Sequence, residues 1–306
     1  MTTGPPGRIA FLGFGLIAGS IARALAHAFA VERDAGARPM LVGWSPSGTG
    51  PGLALRDGVL DAAPAEPEAS VEGADLVIVG APPRDAIDLV AALGGTLGRA
   101  LAPDAVVTDV ASTKSAIVAA ADAAGLRFVG GHPMAGREVS GYANAVADLF
   151  EGRPWVLVPG AAADEAAMGR VAWVATTCGA RPLTMAAATH DAAAAGISHL
   201  PLVVSAALAE TVAGADLERP GWPAARSLAA SGWRDMTRLA KGDVRMGAGI
   251  MATNAGPIAA GLRELRDVLD TWIGDLEGAG SPDPSRLEAR LRAVRDRLDR
   301  SPVDEP

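Results

Sequence analysis

Residues Arg8 to Ser20, R-I-A-F-L-G-F-G-L-I-A-G-S, pass from a short apolar strand pattern through two close glycines into a helical pattern lasting to about Phe29. Gly13, Gly15 and Ala18 stand at the G-x-G-x-x-A spacing that opens a dinucleotide-binding βα unit. Gly13 permits the sharp turn out of the strand, Gly15 lets the backbone approach a pyrophosphate, and Ala18 keeps the helix close to the sheet. Leu16 and Ile17 begin that helix, whose unpaired N–H groups and positive end face the phosphates. Glycine turns also join strands to helices where no ligand binds. The strand before and the helix after favour cofactor binding here.

Outward from this unit the alternation continues. Strand patterns cover Met40–Trp44, Leu76–Gly80, Val106–Thr108, Arg127–Val129, Trp155–Val158 and Arg181–Thr184, with helical runs from about Arg84, over Ala116–Ala123 and over Glu165–Thr176. Such repeats predict an α/β fold, a Rossmann-type doubly wound parallel sheet with ligands at the strand ends. Ala81-Pro82-Pro83 ends a strand and opens a loop at that edge, which adds Ala81 and Pro82 to the cofactor contacts. After Trp44 the chain reads Ser45-Pro46-Ser47-Gly48-Thr49, without the acid that usually holds an NAD ribose. Ser45, Ser47 and Thr49 offer hydrogen bonds and no nearby arginine offers charge; the missing repulsion favours NADP, the alternative being NAD with a relaxed ribose contact. From Ala187 onward strand patterns vanish. This predicts a dinucleotide-binding domain over 1–186 and an all-helical domain over 187–306, suited to a homodimer core or to packing on its own first domain.

Composition narrows the partners. A net charge of −8 and a pI near 5.1 argue against nucleic acid. The single cysteine, Cys178, excludes an internal disulfide and fits a reducing compartment. No stretch reaches the roughly 18 uninterrupted apolar residues of a membrane span, and Ser20 and Arg23 interrupt the N-terminal run that resembles a secretory signal. A cytoplasmic protein, off the membrane and needing no metal, is expected.

Two further stretches carry chemistry. Gly131-His-Pro-Met-Ala-Gly-Arg-Glu-Val-Ser-Gly-Tyr142 contains one of four histidines, and its glycines and Pro133 predict a loop presenting His132 at the end of a strand. Gly232-Trp-Arg-Asp-Met-Thr-Arg-Leu239 puts Arg234 and Arg238 at i and i+4, able to enter one cleft together. Between the glycine unit and the His132 loop, Asp109-Val-Ala-Ser112-Thr-Lys114 either caps the next helix through Ser112 or presents that hydroxyl to a ligand.

G-H-P-M-A-G followed by E-x-S-G, with the arginine segment downstream, resembles the prephenate and arogenate dehydrogenases of tyrosine biosynthesis, over about Arg8 to Asn254. The resemblance implies oxidative decarboxylation of prephenate or arogenate with hydride transfer to NAD or NADP, and a homodimer through the helical half. It implies that His132 is the catalytic base, that Ser112 contacts substrate and this histidine, and that Arg238 binds a substrate carboxylate with Arg234 beside it. Glu138 would pair with Arg238, and His199, in S-H-L-P, would line the cleft. His190-Asp191 matches a frequent pair and is expected to be structural or at the dimer contact. Two positions depart from the family. Leu202 stands where many prephenate-specific relatives carry a histidine tied to substrate contact and tyrosine feedback, and Arg137 stands where many carry threonine. The competing readings are another Rossmann-plus-helical oxidoreductase, of the β-hydroxyacid dehydrogenase or imine reductase type, and a non-catalytic NADP-binding sensor. The first needs a catalytic lysine in the helical half, where Lys241 stands alone, and leaves the His132 loop unexplained.

Overall fold

A computed structural model of the chain describes residues 5–31, 38–137, 139–214, 219–278 and 282–300. Seven strands form one sheet: β1 (Arg8–Leu12), β2 (Met40–Trp44), β3 (Leu76–Val79), β4 (Val106–Asp109), β5 (Phe128–Pro133), β6 (Pro154–Pro159) and β7 (Arg181–Thr184). Their order is β2-β1-β3-β4-β5-β6-β7. The first five run parallel, whereas β6 is antiparallel to β5 and parallel to β7.

Helices cover both faces: α1 (Leu16–Val31), α2 (Thr49–Arg56), α3 (Pro67–Val71), α4 (Pro83–Leu93), α5 (Ser115–Ala123) and α6 (Glu165–Thr177). Every residue of β3 and β4 is buried, as strands covered on two sides must be. Side chains of β1 alternate between two cores. Ile9 and Phe11 join Ile21, Leu25, Trp155 and Val171 on one side, and Ala10 and Leu12 join Val90, Ile117 and Phe128 on the other.

Strand β5 differs from expectation. It does not stop at Val129 but runs through His132 to Pro133, because β6 pairs with it along its length, His132 opposite Val156 and Gly131 opposite Leu157. Its parallel pairing with β4 covers only Phe128 and Val129. His132 thus sits on a hydrogen-bonded strand and not on a free loop. Gly131 allows this crowding, since a Cβ there would lie 2.5 Å from the Asp109 carbonyl oxygen.

The helical half comprises α7 (Ala187–Ala194), one π-helical turn (Ala195–His199), α8 (Leu200–Ala213), α9 (Trp222–Ser227), α10 (Ser231–Thr237), α11 (Val244–Thr253), α12 (Ala255–Glu277) and α13 (Pro284–Arg300). Pro201 falls in the first turn of α8, where its missing N–H costs nothing. The run Ala187–Ala213 is long and apolar enough to cross a membrane: it contains an 18-residue window of mean hydropathy 1.7, of which 22% is buried. By compactness the chain divides into Met1–Ala255 and Gly256–Pro306. Within the first unit α7 packs on α5 and α11 on α4. Within the second, buried Asp275 pairs with Arg286 and Arg290, and Arg290 stacks 3.9 Å over the Trp272 ring.

Gly13 has φ +88°, and a Cβ there would lie 2.7 Å from the Gly80 carbonyl oxygen. Gly13→Ala therefore imposes a left-handed backbone on alanine, costing about 1–3 kcal/mol, and forces β1 and β3 apart at their ends. A lower urea midpoint, without loss of the fold at low denaturant, is the expected result.

Candidate active site

The carboxyl ends of β1 and β3 approach closely because both bear glycine. A Cβ on Gly80 would lie 2.5 Å from the Gly13 carbonyl oxygen and 2.8 Å from the Ala18 methyl, so Ala18 packs α1 against the strand ends. Gly15 is different: a Cβ there would meet nothing within 4 Å. It faces a crevice of about 570 Å3 lined by Gly13, Phe14, Ser45, Pro82, Tyr142 and Arg245, among others. Ala81 also lines it, whereas Leu16, Ile17 and Ala18 stand behind it in the first turn of α1. Bare backbone facing open space, with a helix N-terminus behind it, fits a pyrophosphate. A nicotinamide dinucleotide would be held there by Gly13, Gly15 and the first N–H groups of α1, with Ser45 and Ser47 at the end of β2.

The segment after His132 returns to this crevice. Gly141, Tyr142 and Ala143 line it. The Tyr142 ring packs where a Cβ on Gly19 would be, and its hydroxyl donates to Asp57 at 2.9 Å. Burial and that hydrogen bond push the phenol up to about 12. Two motifs more than a hundred residues apart thus share one wall.

Around His132 lies a connected set of buried polar groups. His132 Nδ1 is 2.8 Å from His190 Nε2, and His190 Nδ1 is 2.8 Å from Asp191 Oδ1. The Asp191 carboxylate also accepts the backbone N–H of Lys114 at 2.7 Å and of Ser115 at 2.8 Å. Burial pushes the Asp191 carboxyl up, but these hydrogen bonds outweigh it and hold it at about 2. Burial, reinforced by His190, Lys114 and His199, pushes His132 well below the ordinary imidazole range. His132 is neutral at pH 7, and part of its surface remains accessible.

Beneath it, Asp109 and Lys114 form a fully buried ion pair. Asp109 also accepts the N–H of Gly131 at 3.1 Å and of Ala111 at 3.0 Å, which fixes the backbone next to His132. Burial lowers the Lys114 pKa, and Asp109 opposes that.

His199 completes the cluster from the π-helical turn. Asn254 Nδ2 donates to its Nδ1 at 3.0 Å and to the Asp191 carbonyl at 2.8 Å. His199 lies beside the Ser112 backbone, and burial lowers its pKa. Two buried polar atoms beside this cluster have no hydrogen-bond partner among the described residues: Ser112 Oγ and His199 Nε2. Ser112 does not cap α5, because Asp191 reaches across to do so. Unpaired buried donors and acceptors are costly, and their convergence marks a place for a polar ligand.

Arg234 and Arg238 are exposed, one in the last turn of α10 and one at its C-cap, and the adjoining Ala240 N–H donates to Ser205 of α8. Glu138 lies outside the described residues. Three charged crevice residues escaped the sequence reading: Asp85, Asp88 and Arg245. Arg245 pairs with Asp85 at 2.7 Å, across 160 residues. It gets there because Gly249 lets α11 sit against Pro83; no local motif announces such a contact.

Comparison with known proteins covers both halves. Residues 30–184 match the family model described as "Prephenate dehydrogenase, nucleotide-binding domain" and residues 186–278 match "Prephenate dehydrogenase, dimerization domain". The chain is 32% identical over 282 residues to the "Probable prephenate dehydrogenase NovF" of Streptomyces niveus, covering 83% of this chain and 75% of that one. Synechocystis arogenate dehydrogenase aligns with a TM-score of 0.74 at 30% identity, over 95% of this chain and 99% of that one. Prephenate dehydrogenase from A. aeolicus, in complex with hydroxyphenyl propionate and NAD+, has a TM-score of 0.80 at 24% identity, over 98% and 99%, a likeness of fold.

Lys114→Met removes the cation while leaving Asp109 its two N–H donors. Breaking a buried pair from one side is expected to cost about 3–5 kcal/mol, read as a lower denaturant midpoint.

Proposed function

The chain belongs to the prephenate dehydrogenase family and is an NAD(P)-dependent oxidoreductase, and from that premise we propose that it oxidises and decarboxylates prephenate or arogenate with His132 as its base. The observation that carries this is the state of one ring. His132 is neutral, its Nδ1 is engaged by His190, and Nε2 is left as the nitrogen that can take a proton.

The substrate chemistry sets the requirements. The ring carbon bearing the hydroxyl loses a hydride, the hydroxyl loses a proton, and the carboxylate leaves as carbon dioxide, its bonding electrons making the ring aromatic. A dinucleotide held at Gly13 and Gly15 would supply its nicotinamide as the hydride acceptor. His132 takes the hydroxyl proton as the C–H bond breaks and returns it to the phenolate oxygen once the ring is aromatic. Ser112 and His199, with polar atoms buried and unpartnered, orient that hydroxyl. Arg238, with Arg234 beside it, holds a substrate carboxylate by the two-pronged match a guanidinium offers.

His132 lies on the same sheet edge as Gly13, three strand spacings away, or roughly 14 Å, a span that a bound dinucleotide would have to bridge. The preferred cofactor is NADP: no acid follows β2, and Ser45 and Ser47 line the crevice where a 2′-phosphate needs donors. The working form is a cytoplasmic homodimer through the helical half. Its support is the apolar run Ala187–Ala213, little of which is buried within one chain.

Purified protein with prephenate or arogenate, each with NAD or NADP, is expected to form reduced cofactor, fastest with NADP. No reduction in any of the four mixtures overturns the assignment. His132→Asn should lower kcat by about 100- to 10,000-fold while cofactor still binds. The wild-type kcat/KM should stay level as pH falls to about 6.5, the ordinary imidazole value. It should decline only below that, as His132 takes up a proton and ceases to be a base. Gly15→Ala should fold normally yet bind cofactor at least about tenfold more weakly, about 1.4 kcal/mol, measured by titration calorimetry.

A further inference from the structure

Asp191 was expected to be structural or at a subunit contact, and His190 with it; their hydrogen bonds give them a different part. The Asp191 carboxylate is ionised, so it can only accept. It takes two backbone N–H groups and one imidazole nitrogen. The hydrogen between Asp191 Oδ1 and His190 Nδ1 therefore belongs to the histidine. In neutral His190 this makes Nε2 an acceptor, and the only group 2.8 Å from it among the described contacts is His132 Nδ1. The hydrogen in that contact must come from His132. A neutral His132 with its hydrogen on Nδ1 carries its lone pair on Nε2, the nitrogen without a hydrogen-bond partner among the described residues. One fixed tautomer follows from another, starting from the carboxylate.

Taking the base assigned to His132 above as given, we propose that Asp191 and His190 are positioning residues that lock His132 in its Nδ1–H tautomer and carry the proton it receives. When the substrate O–H bond breaks, the proton binds His132 Nε2. The Nδ1 proton of His132 then moves to His190 Nε2, and His132 is neutral again with its hydrogen on the other nitrogen. The positive charge rests on His190, beside the Asp191 carboxylate, and the reverse shift returns the proton to the phenolate oxygen. No proton is lost from the chain of three.

The surroundings favour this path. The charged and titratable groups facing His132 are His190 and Asp191 from α7, Lys114 from the turn before α5, and His199 from the π-helical turn. Lys114 is itself paired with Asp109. An imidazolium kept on His132 would face two other imidazoles and an ammonium, whereas one on His190 touches the one carboxylate of the group. The two rings meet edge to face, 5.0 Å between centroids and 74° apart. That places a ring nitrogen of one in line with a ring nitrogen of the other.

The test is nitrogen NMR on histidine-labelled protein, with kinetics beside it. In wild type both His132 and His190 should carry hydrogen on Nδ1. Asp191→Asn puts an amide where only an acceptor stood. If that amide donates to His190 Nδ1, both tautomers reverse, His132 Nε2 becomes protonated, and kcat should fall by about 100- to 10,000-fold with KM little changed. Asp191 also caps α5, so a second pair of variants guards against misfolding. His190→Leu removes the acceptor and should lower kcat by about 100-fold with His132 shifting to Nε2–H. His190→Gln offers a carbonyl to His132 and an amide to Asp191, so it should restore the Nδ1–H tautomer and recover most of that loss, about tenfold or more. The proposal is overturned if His132 carries hydrogen on Nε2 in wild type, or if His190→Leu keeps wild-type kcat and tautomer. It is also overturned if Leu and Gln at 190 lower kcat equally. Full activity in His132→Asn would instead sink the assignment of the base while leaving the tautomer measurement standing.

Discussion

The carboxylate of Asp191 fastens together two parts of the chain that lie more than seventy residues apart. It stands on the first helix after the sheet ends and reaches back to the turn between β4 and α5, where it accepts the N–H groups of Lys114 and Ser115. A helix N-terminus leaves such groups unsatisfied, and an anion there is favoured by both hydrogen bonding and the helix dipole. That fastening sets α7 against α5 and turns His190 toward β5. If Asp191 shifted by one turn, His190 would miss His132 and α5 would lose its cap. Local stability and the geometry of the site are in this sense one requirement.

The other constraint lies one layer deeper. Asp109 and Lys114 are five residues apart on the same turn and both fully buried. A buried pair is seldom a net gain over apolar packing, so its presence calls for another reason. Asp109 supplies one by holding the N–H groups of Gly131 and Ala111 while Lys114 compensates its charge. Antiparallel β6 supplies the opposite rail through the pairing of His132 with Val156. Held on both sides, the imidazole has little freedom to turn away, and a base that does not need to be reoriented reacts from the geometry it already has.

Much of this was legible in the sequence, because the fold is written in local patterns. The short apolar strand runs, the glycines at 13 and 15, and the prolines after β3 each act over a few residues, and outside β5 each gave its element within a residue or two. His132 was legible too, through its motif, but its setting was not. Gly131 and Pro133 read as loop formers, and only β6, more than twenty residues on, makes them part of a strand. Ser112 read equally well as a cap or as a ligand contact. The decision between those readings rests with Asp191, 79 positions away, which takes the cap and leaves the hydroxyl unpartnered. Arg245 was invisible for the same reason, as its meeting with Asp85 depends on how α11 packs against α4. Hydrogen bonds across such distances leave no periodic trace in a chain.

The crevice shows how such a contact changes an argument about charge. From the sequence, the ribose end lacked both an acid and an arginine, and the case for a 2′-phosphate rested on one missing repulsion. In the folded chain Asp85, Asp88 and Arg245 all line the crevice. Asp85 is matched by the guanidinium at 2.7 Å, and the Arg245 side chain is 76% exposed. An exposed ion pair contributes about 1 kcal/mol or less, so Arg245 can exchange a carboxylate for a phosphate at small cost. Charge at this site depends on which partner the exposed Arg245 guanidinium faces. The end of β2 sets only the background against which that choice is made.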